Sequence, residues 1–170
     1  NEGITMTDNN TAPETAKQET APTTNFAVQR IYLKDLSFET PQGPAAFQKQ
    51  WKPKVTQDLS TKSAKIEDNV YEVALRITIT VKHEEEAIYL IEVEQAGLFS
   101  IEGIEEQQLA PVLNVTCATM LLPYAREAID SVLIKGSFPP LMIPPINFES
   151  LFSSALKQAK EEKISEASTH

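Results

Sequence analysis

Residues 71–82, YEVALRITITVK, alternate without a break. Tyr71, Val73, Leu75, Ile77, Ile79 and Val81 fall on one parity; Glu72, Ala74, Arg76, Thr78, Thr80 and Lys82 fall on the other. Successive side chains of a strand point to opposite faces, so this stretch is a strand with one buried face and one wet face. That is the signature of an antiparallel sheet covered on one side only. Three further strands belong with it. The first spans Phe26 to Glu39, and the second, from about Lys54 to Ile66, is polar enough for an exposed or edge position. The acidic run KHEEE, 82–86, makes a turn, and the fourth strand begins near Ala87. There Tyr89, Ile91 and Val93 share one face, and Leu90, Glu92 and Glu94 the other.

After this the period changes. Ala125, Ala128, Ile129, Val132 and Leu133 recur at helical spacing, with Arg126, Glu127, Asp130 and Lys135 off the stripe. Pro123 suits the first turn of this helix, and Gly136 its end as a C′ residue. A shorter helical piece is expected from Glu105 to Ala110, before Pro111. SFPPLMIPPI, 137–146, holds four prolines and is neither helix nor central strand. Asn147 then caps a last helix striped by Phe148, Leu151, Phe152, Ala155, Leu156 and Ala159. Strands followed by helices predict an α+β fold: a four-stranded antiparallel sheet followed by two main helices.

Residues 1–25 are nearly empty of large apolar groups and are expected to be disordered; 161–170 form a similar flexible tail. The folded domain is then 26–160. No run approaches the roughly 18 apolar residues of a membrane span. No basic region followed by an apolar core marks a secretion signal. The net charge of −9 and pI of 4.8 argue against nucleic acid and anionic membranes, and favour basic partners. Cys117 is the sole cysteine, which fits a reducing, cytoplasmic setting.

Catalytic chemistry finds little support, so no enzyme is expected. Asp35 and Glu39 share a strand face in IYLKDLSFETP, but four strand steps separate them by about 13 Å. A glycosidase pair needs about 5 to 9.5 Å. His83 lies in the acidic turn and His170 at the chain end, without a ligand-spaced partner. Cys117 has no marked basic neighbour and is better explained as a small buried hydrophobe. No phosphate-binding loop, zinc pattern or serine elbow occurs, and no cofactor or metal site is expected. Three apolar connections are more informative: around Trp51, in GLFSIEGIE (97–105), and in the Pro-rich loop. Together they point to a hydrophobic surface for binding or oligomerisation.

The stretches QRIYLKDLSFETP, FQKQWKP, VYEVALRITIT, EVEQAGLFSIEGIE, LPYAREAI, KGSFPPL and PINFESLF, in this order, resemble the SecB family of bacterial export chaperones. The resemblance covers 26–152. It implies the same four-stranded sheet with two main helices, assembled as a dimer of dimers (a homotetramer). It implies ATP-independent binding of non-native precursor proteins in the cytoplasm, keeping them translocation-competent for delivery to SecA. The family's SecA-docking positions fall here on Asp35, Glu39, Leu90 and Glu92. Its long client groove implies lining by Tyr32, Phe38, Trp51, Tyr89, Leu98, Phe99 and Ile101. PVLNVTCATMLLPYARE departs from the family pattern, in a segment the family uses between dimers. Two other readings stand beside the export chaperone: a SecB-like chaperone dedicated to one client such as an antitoxin, and a small-molecule-binding α+β domain.

Overall fold

The computed structural model of the chain describes residues 23–48, 50 and 52–167. The disorder expected for 1–25 therefore lies, up to residue 22, outside the described residues. So do Trp51, His170 and the last three residues of the expected tail.

Four antiparallel strands make one sheet: β1 (Asn25–Glu39), β2 (Lys54–Glu67), β3 (Val70–His83) and β4 (Glu86–Glu102). Their order is β1-β4-β3-β2, so the two central strands are joined by a tight hairpin. Its turn places Glu84 at φ 54°, and the β2–β3 turn places Asn69 at φ 61°. Asparagine tolerates that left-handed region better than most residues. The alternation of β3 holds from Leu75 to Lys82; before it, Ala74 is buried although it shares parity with the outer face, and Tyr71 is only half-buried. Val73, Leu75, Ile77, Ile79 and Val81 are buried, while Glu72, Arg76, Thr78, Thr80 and Lys82 are only half-buried.

β4 is longer than the sequence pattern implies. It absorbs most of GLFSIEGIE, expected to be an apolar connection, because it has neighbours on both sides: Gly97 faces Ile31 of β1 and Val73 of β3. Gly97 is a packing device within the strand. A Cβ there would stand 2.8 Å from the Phe99 ring and 3.2 Å from the Arg30 carbonyl.

β1 departs from simple alternation. Its register shifts between Val28 and Arg30 and again between Leu33 and Asp35. Each extra residue swaps the faces of the residues beyond it. Tyr32 thus lies opposite Ala96 on the outer face, whereas Leu36 and Phe38 lie opposite Val93 and Ile91 on the core face.

The helical layer covers the core face. α1 (Glu106–Pro111), a π-helical segment (Val112–Cys117) and α2 (Ala118–Lys135) follow one another without a break. Pro123 is inside α2, not at its start. The right-handed run begins upstream, and the wide π turn lies between the two prolines, where insertions of this kind relieve local strain in a helix. Asn114 Nδ2 donates to the Ala110 carbonyl at 2.9 Å, and the Thr119 hydroxyl donates to the Val115 carbonyl at 2.6 Å. These side chains satisfy carbonyls along the irregular stretch. Ala118, Leu121, Leu122, Ala125, Ile129 and Leu133 form the buried stripe of α2.

The end of α2 also differs from expectation. Gly136 has φ −79°, and Ser137 carries the left-handed conformation at φ 64°. Phe138 N donates to the Leu133 carbonyl and Ser137 N to that of Ile134, a Schellman motif with serine at C′. Glycine is needed one residue earlier because a Cβ there would stand 2.7 Å from the Phe38 ring.

α3 (Phe148–Ala167) runs past residue 160. As expected, Asn147 caps it, its Oδ1 accepting from Ser150 N at 3.0 Å. Leu151, Leu156 and Ile164 remain exposed along it. No helix among the described residues is long and apolar enough to cross a membrane.

Candidate functional site: the outer face of the sheet

The described helices pack on one face of the sheet. Three rows run across the other face. Glu39, Leu90, Thr80 and Thr56 form one; Ser37, Glu92, Thr78 and Asp58 the next; Asp35, Glu94, Arg76 and Ser60 the third. The rows hold five carboxylates and one guanidinium. β1 can place Asp35, Ser37 and Glu39 here because its second bulge lies just before them. Glu39, Leu90 and Glu92 surround a shallow depression of about 210 Å³ with Ser37, Thr78 and Ile91. Asp35 stands one row further along and does not line it.

The charges on this face differ in their bonding. Arg76 Nη2 donates to Glu94 Oε2 at 2.6 Å, and that bond pushes the guanidinium's pKa still higher, so it stays charged. The Thr78 hydroxyl donates to Glu92 Oε2 at 2.9 Å. Towards the other end of the sheet, Glu72 accepts from Tyr32 and, at 2.6 Å, from Lys34 Nζ. Lys34 and then Tyr32 hold the Glu72 carboxyl below its usual value. Among the described residues no group of three or more His, Cys, Asp or Glu side chains converges as metal ligands.

The core face carries an aromatic cluster. Phe138 contacts Tyr89, Phe47 and Phe38 at ring-centroid separations of 4.8, 5.3 and 6.2 Å. Burial, and then Asp130, push the Tyr89 phenol up to about 12. The Pro-rich loop is strapped over this region. Asp130 Oδ1 accepts from Leu141 N and Met142 N, and Arg126 Nη1 donates to the Ile143 carbonyl. A proline-rich segment has few N–H groups, and one aspartate takes two of them. Cys117 is fully buried, and burial pushes its thiol up to about 12.

These placements divide the groove residues. Tyr89, Phe99 and Ile101 are 3%, 0% and 4% exposed and fill the core. Phe38 is half-buried beside the cluster. Tyr32 and Leu98 are half-buried on the opposite, outer face. The sheet thus separates Tyr32 and Leu98 from the other four described residues. Phe47, 56% exposed at the rim of the cluster, was not singled out by its sequence context. Its place in FQKQWKP, beside Trp51, is the one signal that pointed towards it.

The SecB family model, described as preprotein translocase subunit SecB, matches residues 17–159. The chain belongs to the SecB family. Protein-export protein SecB of Marinobacter nauticus is 54% identical over 142 residues, covering 84% of this chain and 86% of that protein. The SecB of Cellvibrio japonicus is 49% identical over 149 residues, covering 88% and 89%. Membership makes the chain a preprotein-export chaperone, in a family of chaperones and not of enzymes. Among solved structures, a SecB-like chaperone of Mycobacterium tuberculosis, in complex with a peptide from an antitoxin, superposes with a TM-score of 0.60. It covers 71% of this chain and 90% of its own at 15% identity, and it shares the fold.

Proposed function

We propose that this SecB-family chain holds non-native precursor polypeptides without nucleotide, in the cytoplasm, and delivers them to SecA through the outer face of its sheet. The observation that carries the docking reading is the grouping of Glu39, Leu90 and Glu92 around one depression, with Asp35 a row away, on a face no described helix covers. Carboxylates around a leucine suit a cationic partner surface, adding mainly to on-rate and specificity.

Clients contact the apolar rim made by Phe38 and Phe47 over Tyr89, while Phe99 and Ile101 lie in the core at the other end of β4, beside Phe26. Tyr32 and Leu98 supply a second apolar strip on the outer face. Aromatic rings offer contact area without demanding one client sequence. The assembly is a dimer of dimers. Large apolar side chains left exposed on the helices, Met120, Tyr124, Leu151 and Leu156 among them, support this reading.

Titration with SecA tests the docking. Asp35→Lys or Glu92→Lys weakens binding about tenfold or more, while suppression of aggregation is retained. Rising salt weakens SecA binding more than client binding, because exposed charges are screened. Unchanged SecA affinity in both variants sinks the docking reading.

A further inference from the structure

Glu92 and Glu94 lie two residues apart on β4 and face the same way. Both are near Arg76, yet they are bonded differently. Arg76 Nη2 is 2.6 Å from Glu94 Oε2, whereas its Nη1 is 3.9 Å from Glu92 Oε1. Glu92 is held instead by the Thr78 hydroxyl. The Glu94 side chain is 13% exposed and that of Glu92 34%. One carboxylate is thus spent within the chain and the other is open to a partner.

We propose that Thr78 and Glu94 are specificity-determining residues of the docking face: Thr78 aims Glu92 into the depression beside Leu90 and Glu39, and Glu94 holds Arg76 in a short bond that leaves Glu92 only a 3.9 Å approach to the guanidinium. The inference rests on the docking reading and names two residues outside it. A hydroxyl donor fixes a carboxylate without cancelling its charge, whereas a guanidinium would neutralise it. Glutamate is rich in rotamers, and fixing it beforehand lowers the ordering cost of binding. A depression of about 210 Å³ walled by Glu39, Glu92 and Leu90 fits the end of one Lys or Arg side chain. The aliphatic stem would lie on Leu90 and the charged head between the acids.

The test is a SecA titration of five variants of the full chain, each checked for an unchanged unfolding midpoint. Thr78→Val, which keeps the β-branched shape and removes the donor, binds about three- to tenfold more weakly. Thr78→Ser keeps the donor and restores binding to within about twofold. Glu94→Gln weakens binding about threefold, because Arg76 turns to Glu92. The double variant Arg76→Gln with Glu94→Gln, which leaves the net charge unaltered, recovers it. Glu92→Lys is the control. If Glu92→Lys weakens binding while Thr78→Val does not, the positioning role is overturned and the docking reading stands. If the double variant stays as weak as Glu94→Gln, Glu94 meets the partner directly and its proposed role is overturned. If Glu92→Lys itself binds normally, the roles of Thr78 and Glu94 are overturned, and the docking reading falls with them when Asp35→Lys also binds normally.

Discussion

The two faces of the sheet are made by the same four strands and are put to opposite uses. On one face Val73, Leu75, Ile77, Ile79 and Val81 pack beneath the helical layer, with side chains almost wholly removed from water. On the other, Arg76, Thr78 and Thr80 of the same strand stand among acids from β1 and β4, and Glu72 bonds Tyr32 and Lys34. Neighbouring residues therefore answer to different pressures. A change on the core face alters stability first. A change on the outer face alters what the surface attracts, because exposed ion pairs contribute little to folding.

This contrast can be broken in graded ways. The largest expected effect is Ile77→Ala, which leaves a cavity at a fully buried position and costs about 2–5 kcal/mol. Denaturant unfolding measures it, and a loss below ~1 kcal/mol would mean that the face is not the core. Next is Asp130→Ala, which orphans the Leu141 and Met142 amides and unpins the Pro-rich loop. A cost of about 1–2 kcal/mol is expected, with faster hydrogen exchange across residues 138–146. Hydrogen exchange no faster than in the natural chain would show that the loop is held by packing alone.

Glu72→Gln probes the outer face by pH. The folded carboxyl lies below its ordinary value, so its stabilisation is present above that value and is lost as pH falls through the depressed one. At neutral pH the variant is less stable by under ~1 kcal/mol, since the Lys34 partner is largely exposed. The two chains converge in acid, and a difference that persists there contradicts the assignment. The smallest effect on folding belongs to Glu92→Lys, expected within ~0.5 kcal/mol of the natural chain. A larger loss would mean that this face also carries structural strength.

Much of this division was legible in the sequence, because strand alternation is a period-two signal and β3 keeps it from Leu75 to Lys82. The same rule placed Leu90 and Glu92 opposite Ile91 and Val93. Alternation carried back from Leu36 and Phe38 would give Tyr32 their face, and Ile31, Tyr32 and Leu33 carry no sign of the bulge just after them that reverses it. Pro123 and Gly136 misled for a related reason. Proline and glycine rules describe a helix on its own, whereas here an irregular run passes through two prolines and a ring packs against the glycine. The acids were visible as a shared face, but alternation alone leaves them a solvated surface, and only the family resemblance gave them a partner. The pairing of Thr78 with Glu92 and of Arg76 with Glu94 needed the cross-strand register, which no single strand contains.

The separation of the two faces meets its most direct test in light scattering. A denatured polypeptide is diluted without nucleotide into an equimolar amount of the Glu92→Lys variant. The account predicts that aggregation is suppressed as fully as by the natural chain. Loss of suppression in the variant alone would show that the acidic rows hold clients too, and failure of both chains to suppress aggregation would contradict the chaperone reading itself.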